Sequence, residues 1–214
     1  MVRHIAYGRK IEDLDIIVVD DARPMQTILR STLQSFRVRR VRTFDSAEEA
    51  LDAMQIDPPN MLLTDWYMKP MSGLHLLQRI RRRKMSPLCF LPILFVTAHG
   101  TRTVVEKALR AGAQNVLIKP VAPSALHARL QWTLRDHREF QLLDDGRYVI
   151  DGMAEALDRH ARKVAHIANV FHREASPSMT RKIEMLAARR AEAARRRAAY
   201  SGERPDGFAA VRVR

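Results

Sequence analysis

The chain has 214 residues, of which 46% are apolar, and it carries a formal net charge of +13 at pH 7. This length suits one full domain with an extension, or two small domains, and the apolar fraction allows a sizeable core. The single cysteine, Cys89, excludes an internal disulfide. We find no apolar stretch of about 18 residues and no signal-peptide core, so we expect a cytoplasmic protein without membrane insertion.

The basic excess falls in clusters, which indicates either an anionic partner or a solvated surface. The first cluster lies within 37–42, the second within 79–84 and the third within 189–197.

Apolar runs and amphipathic stretches alternate from Leu14 to about Leu134. Short β-branched runs such as LDIIVV predict buried strands, and apolar residues at helical spacing predict the helices between them. Ser46 with Glu49 three residues later forms a capping box at the start of the second helix. The predicted strands are 14–19, 38–44, 61–64, 91–96 and 115–118, and the predicted helices are 23–36, 47–55, 73–84, 103–112 and 123–138.

Buried strands that alternate with helices require a parallel sheet covered on both faces. Right-handed crossovers leave few topologies, and we predict an α/β, flavodoxin-like (βα)5 sheet with strand order 2-1-3-4-5. In such sheets, sites form beyond the carboxyl ends of the strands.

The pattern changes after residue 138, where we predict an all-helical C-terminal extension. DDGR at 144–147 indicates a turn, and two helical stretches follow at about 152–175 and 179–200. The resulting plan is an N-terminal arm at 1–12, an α/β domain at 13–138, a helical extension at 139–200 and a flexible, arginine-containing tail at 201–214.

Polar residues follow four of the predicted strands. Asp20 and Asp21 follow the first strand, Asp65 the third, Thr97 the fourth and Lys119 the fifth. Carboxylates that share one crevice repel each other, and a hard divalent cation with oxygen ligands relieves that repulsion. We therefore predict a Mg²⁺ site at this edge of the sheet.

Asp65 is the candidate nucleophile in this crevice, because a carboxylate can attack a phosphoryl group to give an aspartyl phosphate. Catalysis of such a transfer is mostly positioning and charge neutralisation. Mg²⁺ would cover one phosphoryl oxygen, the Lys119 ammonium a second, and the Thr97 hydroxyl could donate to a third.

Four sequence blocks resemble those of CheY-type receiver domains of response regulators. They are VVDDARPMQTILR, LLTDWYMKPMSGLHLL, ILFVTAHG and NVLIKPV, and the resemblance covers roughly residues 13–138. It implies that Asp65 is the phosphoacceptor and that Asp21 and Asp65 bind Mg²⁺, with Asp20 helping through water and the backbone carbonyl of Tyr67 as a ligand. It also implies a histidine kinase or a histidine phosphotransfer protein as phosphodonor, and a signalling module rather than an enzyme with turnover.

The resemblance further implies that Thr97 and Lys119 contact the phosphoryl group. The sequence departs from the family pattern at Val116, where receivers usually carry Tyr or Phe, and at Lys69, where proline is commoner. His99 occupies a position that often tunes the lifetime of the phosphate.

The output is the part on which alternatives stay open. The first hypothesis is a receiver that signals through protein contacts of the domain and its helical tail, with a dimer contact through that tail as a variant. The second hypothesis is a cyclic-di-GMP-binding effector, with the flagellar motor as a candidate target. It rests on the tail, which resembles the arginine-rich tails of CheY-like cyclic-di-GMP effectors, although it contains RPD instead of RxxD. The third is a basic nucleic-acid-binding regulator, which we favour least because no recognition-helix pair is present. The candidate nucleotide-binding residues are Arg195, Arg196, Arg197, Tyr200, Arg204 and Asp206.

Overall fold

The computed structural model describes residues 2–162 and residue 185. The first of two compact units ends at Asp158. Of the second unit, residues 159–162 and residue 185 are described, and they are helical. The elements are, in chain order, β1 (Val2–Arg3), β2 (Asp15–Val19), α1 (Arg23–Ser35), β3 (Arg40–Phe44), α2 (Ala47–Ile56), β4 (Met61–Thr64), α3 (Gly73–Ile80), β5 (Ile93–Thr97), α4 (Arg102–Arg110), β6 (Asn115–Ile118), α5 (Pro123–Leu134), β7 (Glu139–Leu142) and β8 (Tyr148–Ile150).

Five strands form a parallel sheet in the order β3-β2-β4-β5-β6. Because β1 lies outside this sheet, β2 is its first strand in chain order, and the observed order is the predicted 2-1-3-4-5. The flavodoxin-like fold is therefore confirmed. Every residue of β2, β4 and β5 is buried, as both faces of a parallel sheet require. β3, none of whose five residues is buried, lies at one edge.

Alternate residues of the central strands supply two separate cores, one on each face of the sheet. In β2, Ile17 and Val19 pack into one core, while Ile16 and Val18 pack into the other. The first core lies against α2, α3 and α4, and the second lies against α1 and α5. The helices therefore cover both faces and hold the strand ends in register.

Hydroxyl side chains begin three of the helices. Ser46, Ser72 and Thr101 each accept a hydrogen bond from the backbone N–H three residues later, at the start of α2, α3 and α4. The bond from the Glu49 N–H to the Ser46 hydroxyl is the one that the capping box predicts.

Two helices end four residues earlier than the periodicity predicts. The third was expected to reach residue 84, but α3 ends at Ile80 because the following segment pairs with the turn between β7 and β8 through an Arg82–Arg147 bridge. The fifth was expected to reach residue 138, but α5 ends at Leu134, and the Asp136 carboxylate accepts a hydrogen bond from the Arg138 N–H as the chain turns. Tertiary pairing overrides helix periodicity in the first place, and a local turn ahead of β7 ends the helix in the second.

The extension that we predicted to be all-helical begins instead with a β-hairpin, so this part of the prediction is wrong. β7 and β8 pair antiparallel around the expected turn, where Gly146 has a positive φ of 77°. β1 pairs with β7, so the N-terminal arm and the hairpin form a second sheet in the order β1-β7-β8. The missed strands are short, and β1 gains its partner from a distant part of the chain.

A helix covers residues 153–162, within the first of the two helices predicted for the extension. The remainder of that helix, nearly all of the second and the whole tail lie outside the described residues. Within the described part of the chain, no helix has the length and apolarity needed to cross a membrane.

Candidate phosphoryl-transfer site

The predicted polar residues stand at the carboxyl ends of the parallel strands. Asp20 and Asp21 follow β2, Asp65 follows β4 and Lys119 follows β6, while Thr97 is the last residue of β5. Because the strands are parallel and adjacent, these ends meet at one edge of the sheet. The carboxylate oxygens of Asp20, Asp21 and Asp65 lie within 4.8 Å of one another.

Lys119 provides the positive charge of the cluster. Its Nζ atom lies 2.7 Å from Asp20 Oδ2 and 3.3 Å from Asp65 Oδ2. Its side chain is only 13% exposed, so these attractions are less screened than those of a surface pair. Three carboxylates still face one ammonium, which leaves a net negative site that favours a further cation.

The orientation of two of the carboxylates comes from a backbone donor nearby. The Trp66 N–H donates to Asp65 Oδ1 at 2.7 Å, and the Ala22 N–H donates to Asp20 Oδ1 at 2.9 Å. In each residue the Oδ2 atom is the one that faces Lys119. Asp20 is almost fully buried, Asp65 is half-buried and Asp21 is exposed.

The donor set fits Mg²⁺ by its chemistry. Carboxylate oxygens are the ligands that a hard divalent cation prefers, and Mg²⁺ keeps several waters, so few protein ligands suffice. Asp20, Asp21 and Asp65 therefore form a candidate cation site. Tyr67, whose backbone carbonyl was the further expected ligand, directly follows Trp66 and is 54% exposed.

Thr97 is fully buried at the end of β5, and its hydroxyl oxygen accepts a hydrogen bond from the His99 N–H at 3.1 Å. Because the oxygen acts as an acceptor there, the hydroxyl hydrogen stays available for donation. The His99 ring lies edge-on to the Tyr67 ring, with centroids 4.5 Å apart. The sequence reasoning singled out both residues but not this contact between their side chains.

Gln26 is a supporting residue that the sequence reasoning missed. Its side-chain amide is buried in α1 and donates to the Asp20 carbonyl and to Asp45 Oδ1, each at 2.6 Å. It also donates to the Phe44 carbonyl, which ties the loops after β2 and β3 together. The available signal was a polar residue on the apolar stripe of α1.

Gly73 is a second missed residue, and its role is steric. A Cβ atom at this position would lie 1.9 Å from the Asp65 carbonyl oxygen. Only glycine allows α3 to start so close to the backbone of the candidate phosphoacceptor. In the sequence, the only sign of this role is a Ser-Gly pair, Ser72 and Gly73, at the start of the helix.

Val116 occupies the position at which receivers usually carry an aromatic ring. It pairs with Phe95 across β5 and β6 and packs, partly buried, against the first core. The bulky rings next to the site are instead Trp66 and Phe95, whose centroids are 5.1 Å apart. The candidate tail residues, Arg195, Arg196, Arg197, Tyr200, Arg204 and Asp206, lie outside the described residues.

Comparison with known proteins agrees with this geometry. A chemotaxis protein CheY homolog of Campylobacter jejuni is 33% identical over 119 residues, which cover 55% of this chain and 90% of the relative. Chemotaxis protein CheY1 of Helicobacter pylori is 31% identical over 122 residues, 56% of this chain and 97% of the relative. Among solved structures, chemotaxis protein CheY4 of Vibrio cholerae matches with a TM-score of 0.53 and 27% identity, over 57% of this chain and 99% of that one.

The family model described as "Response regulator receiver domain" matches residues 16–131, which is more than half of the chain. Receiver domains of this CheY-like type are signalling domains of two-component systems and not classical enzymes. Together with the sheet order and the acidic cluster at its carboxyl edge, this match establishes that the chain belongs to the response-regulator receiver family.

Proposed function

We propose that this chain is a response regulator whose Asp65 accepts a phosphoryl group from a histidine kinase or a histidine phosphotransfer protein. The observation that carries the proposal is the placement of Asp65 between a lysine and two further carboxylates. Asp65 Oδ2 lies 3.3 Å from Lys119 Nζ, and the oxygens of Asp20 and Asp21 are within 4.8 Å. A carboxylate held against a cation in a crevice with excess negative charge suits phosphoryl transfer.

In the proposed step, an Asp65 carboxylate oxygen attacks the phosphorus atom of a phosphohistidine on the donor. The new P–O bond forms as the P–N bond breaks, and the departing imidazole keeps the electron pair and takes up a proton. Lys119 neutralises charge on one phosphoryl oxygen, and the Thr97 hydroxyl donates to another. The Trp66 N–H holds the other Asp65 oxygen, so the attacking atom keeps its orientation.

Mg²⁺ would be held by Asp20, Asp21, Asp65 and the Tyr67 backbone carbonyl. When bound, it would neutralise charge that builds up between the carboxylates and the phosphoryl oxygens. Lys119 would limit the repulsion between Asp20 and Asp65, because its Nζ atom contacts both carboxylates.

The signal would pass to a protein partner through the surface of the receiver and the helical extension. A flagellar switch as target, cyclic-di-GMP binding and a dimer through the tail stay predictions, because the residues that would decide them lie outside the described part of the chain. Val116 leaves the usual aromatic switch position without a ring, so we expect output to depend on Thr97 and the loop that carries His99.

Trp66 offers a direct test, because its N–H donates to Asp65 and its ring is buried next to the site. In a Trp132→Phe background, Trp66 is the only tryptophan of the chain. We expect beryllofluoride, a phosphoryl mimic, to change its fluorescence only when Mg²⁺ is present. Asp65→Asn should abolish this change, while the exposed Asp52→Asn on α2 should leave it intact.

A fluorescence change that occurs without Mg²⁺, or that survives Asp65→Asn, would contradict the proposal. A second test is peptide mass mapping after incubation with a small-molecule phosphodonor and Mg²⁺. If no phosphoryl group is found on Asp65, the proposal is also contradicted.

A further inference from the structure

The two basic clusters that the structure describes differ in how their charges are used. In the first, Arg40 lies 2.6 Å from Asp57 and Arg42 lies 3.0 Å from Asp15. Arg40 also reaches Asp15 at 3.5 Å, and Arg42 reaches Asp57 at 3.6 Å. These two arginines and two carboxylates neutralise one another, so this part of the cluster has a structural role.

The second cluster keeps its charge. We call it the basic ridge; it consists of Arg79, Arg82, Arg83 and Lys84, which follow or end α3, together with Arg147 from the β7–β8 hairpin. Among the described residues, the first four form no ion pair, and Arg147 alone has a partner, Asp145. Arg79, Arg82, Arg83 and Lys84 are all exposed. The ridge is therefore a positive surface in which four of the five cations form no ion pair among the described residues.

Backbone pairing fixes the ridge in place. Arg82 and Arg147 form an antiparallel bridge, and the Arg83 N–H donates to the Gly146 carbonyl at 2.9 Å. Residues paired directly across antiparallel strands hold their side chains close together, and like charges in such pairs are destabilising. The fold thus sets two arginines at facing positions of one bridge, and Arg147 is paired with Asp145 while Arg82 forms no ion pair among the described residues.

Two clefts flank the ridge, with volumes of about 370 Å³ and about 450 Å³. Arg82 lines both of them, so the two clefts adjoin at this residue, and we refer to them together as the groove. Arg79 lies in the first cleft, and Lys84 lies in the second. Each cleft also contains one carboxylate, Glu48 in the first and Asp145 in the second, so the cations outnumber the acids across the groove.

The composition of the groove points to one class of partner. Among the described residues that line the two clefts, none is Trp, Tyr or Phe. Protein–protein hot spots depend on buried aromatic anchors, and single-stranded nucleic acids are held by stacking on aromatic rings. Arginine-rich surfaces without such anchors suit phosphate groups, to which guanidinium groups donate two hydrogen bonds at once.

We propose that the basic ridge binds the phosphate backbone of double-stranded nucleic acid without reading its sequence. Such binding needs no recognition helix, because contacts to the backbone carry affinity but no sequence information. The ridge includes Arg147, which lies beyond the part of the chain that matches the receiver family. This binding surface is thus built partly by the hairpin that this chain adds to its receiver domain.

The test uses the full chain and a fluorescent duplex of random sequence, with binding followed by anisotropy between about 50 and 200 mM salt. The ridge variant is Arg82→Ala/Arg83→Ala/Lys84→Ala. The matched control, Arg30→Ala/Arg39→Ala/Arg129→Ala, removes three exposed arginines elsewhere on the domain. We expect the ridge variant to bind at least tenfold more weakly at low salt, and its salt slope to fall by about 2.7, at roughly 0.9 for each lost phosphate contact.

The control variant should keep most of the wild-type affinity, and both variants should melt like the wild type because all six positions are exposed. Equal losses in the two variants, or no binding by the wild-type chain, would overturn the proposal. The same variants are compared on vesicles of anionic lipid and on polyglutamate. If the ridge variant loses binding there and keeps it on the duplex, the surface serves a membrane or an acidic protein instead.

Discussion

A buried cation and a half-buried one lie at opposite ends of the parallel sheet, and their surroundings differ in kind. At the carboxyl end, Lys119 faces the carboxylates of Asp20 and Asp65. At the amino end, Arg81 is 1% exposed and donates to neutral acceptors only, the carbonyls of Gly112, Cys89 and Leu91 and the side-chain oxygen of Gln114. One cation is balanced by charge and the other by dipoles.

The difference separates a chemical site from a structural one. Carboxylates around Lys119 outnumber the cation, so that end stores repulsion which a metal ion and a phosphoryl group can relieve. Around Arg81 the donors are used up, and its guanidinium also stacks over the Phe140 ring at 4.8 Å, which ties β7 to the receiver. Burial lowers the pKa of Arg81 to about 9, so it remains a cation at neutral pH. The Arg81 guanidinium therefore keeps no donor free for a ligand.

Arg81→Met should give the largest effect on stability. The substitution leaves the carbonyls of Gly112, Cys89 and Leu91 without their buried donor and removes the stacking on Phe140. We expect the free energy of unfolding to fall by about 3–5 kcal/mol, the usual cost of breaking a buried charged network. Urea denaturation followed by circular dichroism measures this loss.

Arg82→Met, at the next position, is the matched control. Its side chain is exposed and forms no ion pair among the described residues, so we expect a change within about 0.5 kcal/mol. Similar losses in both variants would mean that Arg81 does not hold the added sheet to the domain.

The parallel sheet was predictable from the sequence because its signals are local and repeated. Buried strands such as LDIIVV, helical spacing and the Ser46 cap each depend on a few neighbouring residues. The second sheet was not predictable in this way. β1 is two residues long and pairs with β7 more than a hundred positions later, and nothing in a short window reveals such a partner.

The charged residues at the strand ends were also found from the sequence, because their spacing follows the strands. The supporting residues were not. Gln26 and Gly73 act through contacts with the Asp20 and Asp65 backbone, which exist only after the loops are folded. Arg81 is a similar case, since the sequence placed it in a surface cluster although its side chain is buried.

Asp65→Asn tests the carboxyl end of the sheet. We expect a smaller change in the free energy of unfolding than for Arg81→Met, and of the opposite sign. Three carboxylates within 4.8 Å face one lysine, so removing one negative charge should raise the free energy of unfolding in the absence of Mg²⁺ by about 1 kcal/mol. Thermal melting in a chelating buffer measures the gain, and added Mg²⁺ should stabilise the wild type more than the variant. Asp52→Asn, on the exposed face of α2, should leave the stability nearly unchanged. A loss of stability in Asp65→Asn would show that Asp65 is held as a structural ion pair, like the one between Arg42 and Asp15.

The smallest expected effect is at His4, a second buried ionisable group at the amino end of the sheet. His4 is 3% exposed, and burial lowers the pKa of its imidazole, with the Asp136 carboxylate opposing and Arg81 adding to that shift. As the pH falls below the ordinary pKa of 6.5, the imidazole gains a proton in the unfolded chain before it does so in the folded chain. The stability from this group is therefore present above about pH 6.5 and is lost as the pH falls toward the lowered pKa. His4→Leu should therefore flatten the decline in unfolding free energy in that window, as read by urea denaturation at a series of pH values. The control is His75→Gln, at an exposed position, and it should keep the wild-type slope. An unchanged slope in His4→Leu would contradict the prediction, because the imidazole would then gain a proton as easily in the folded state as in the unfolded chain.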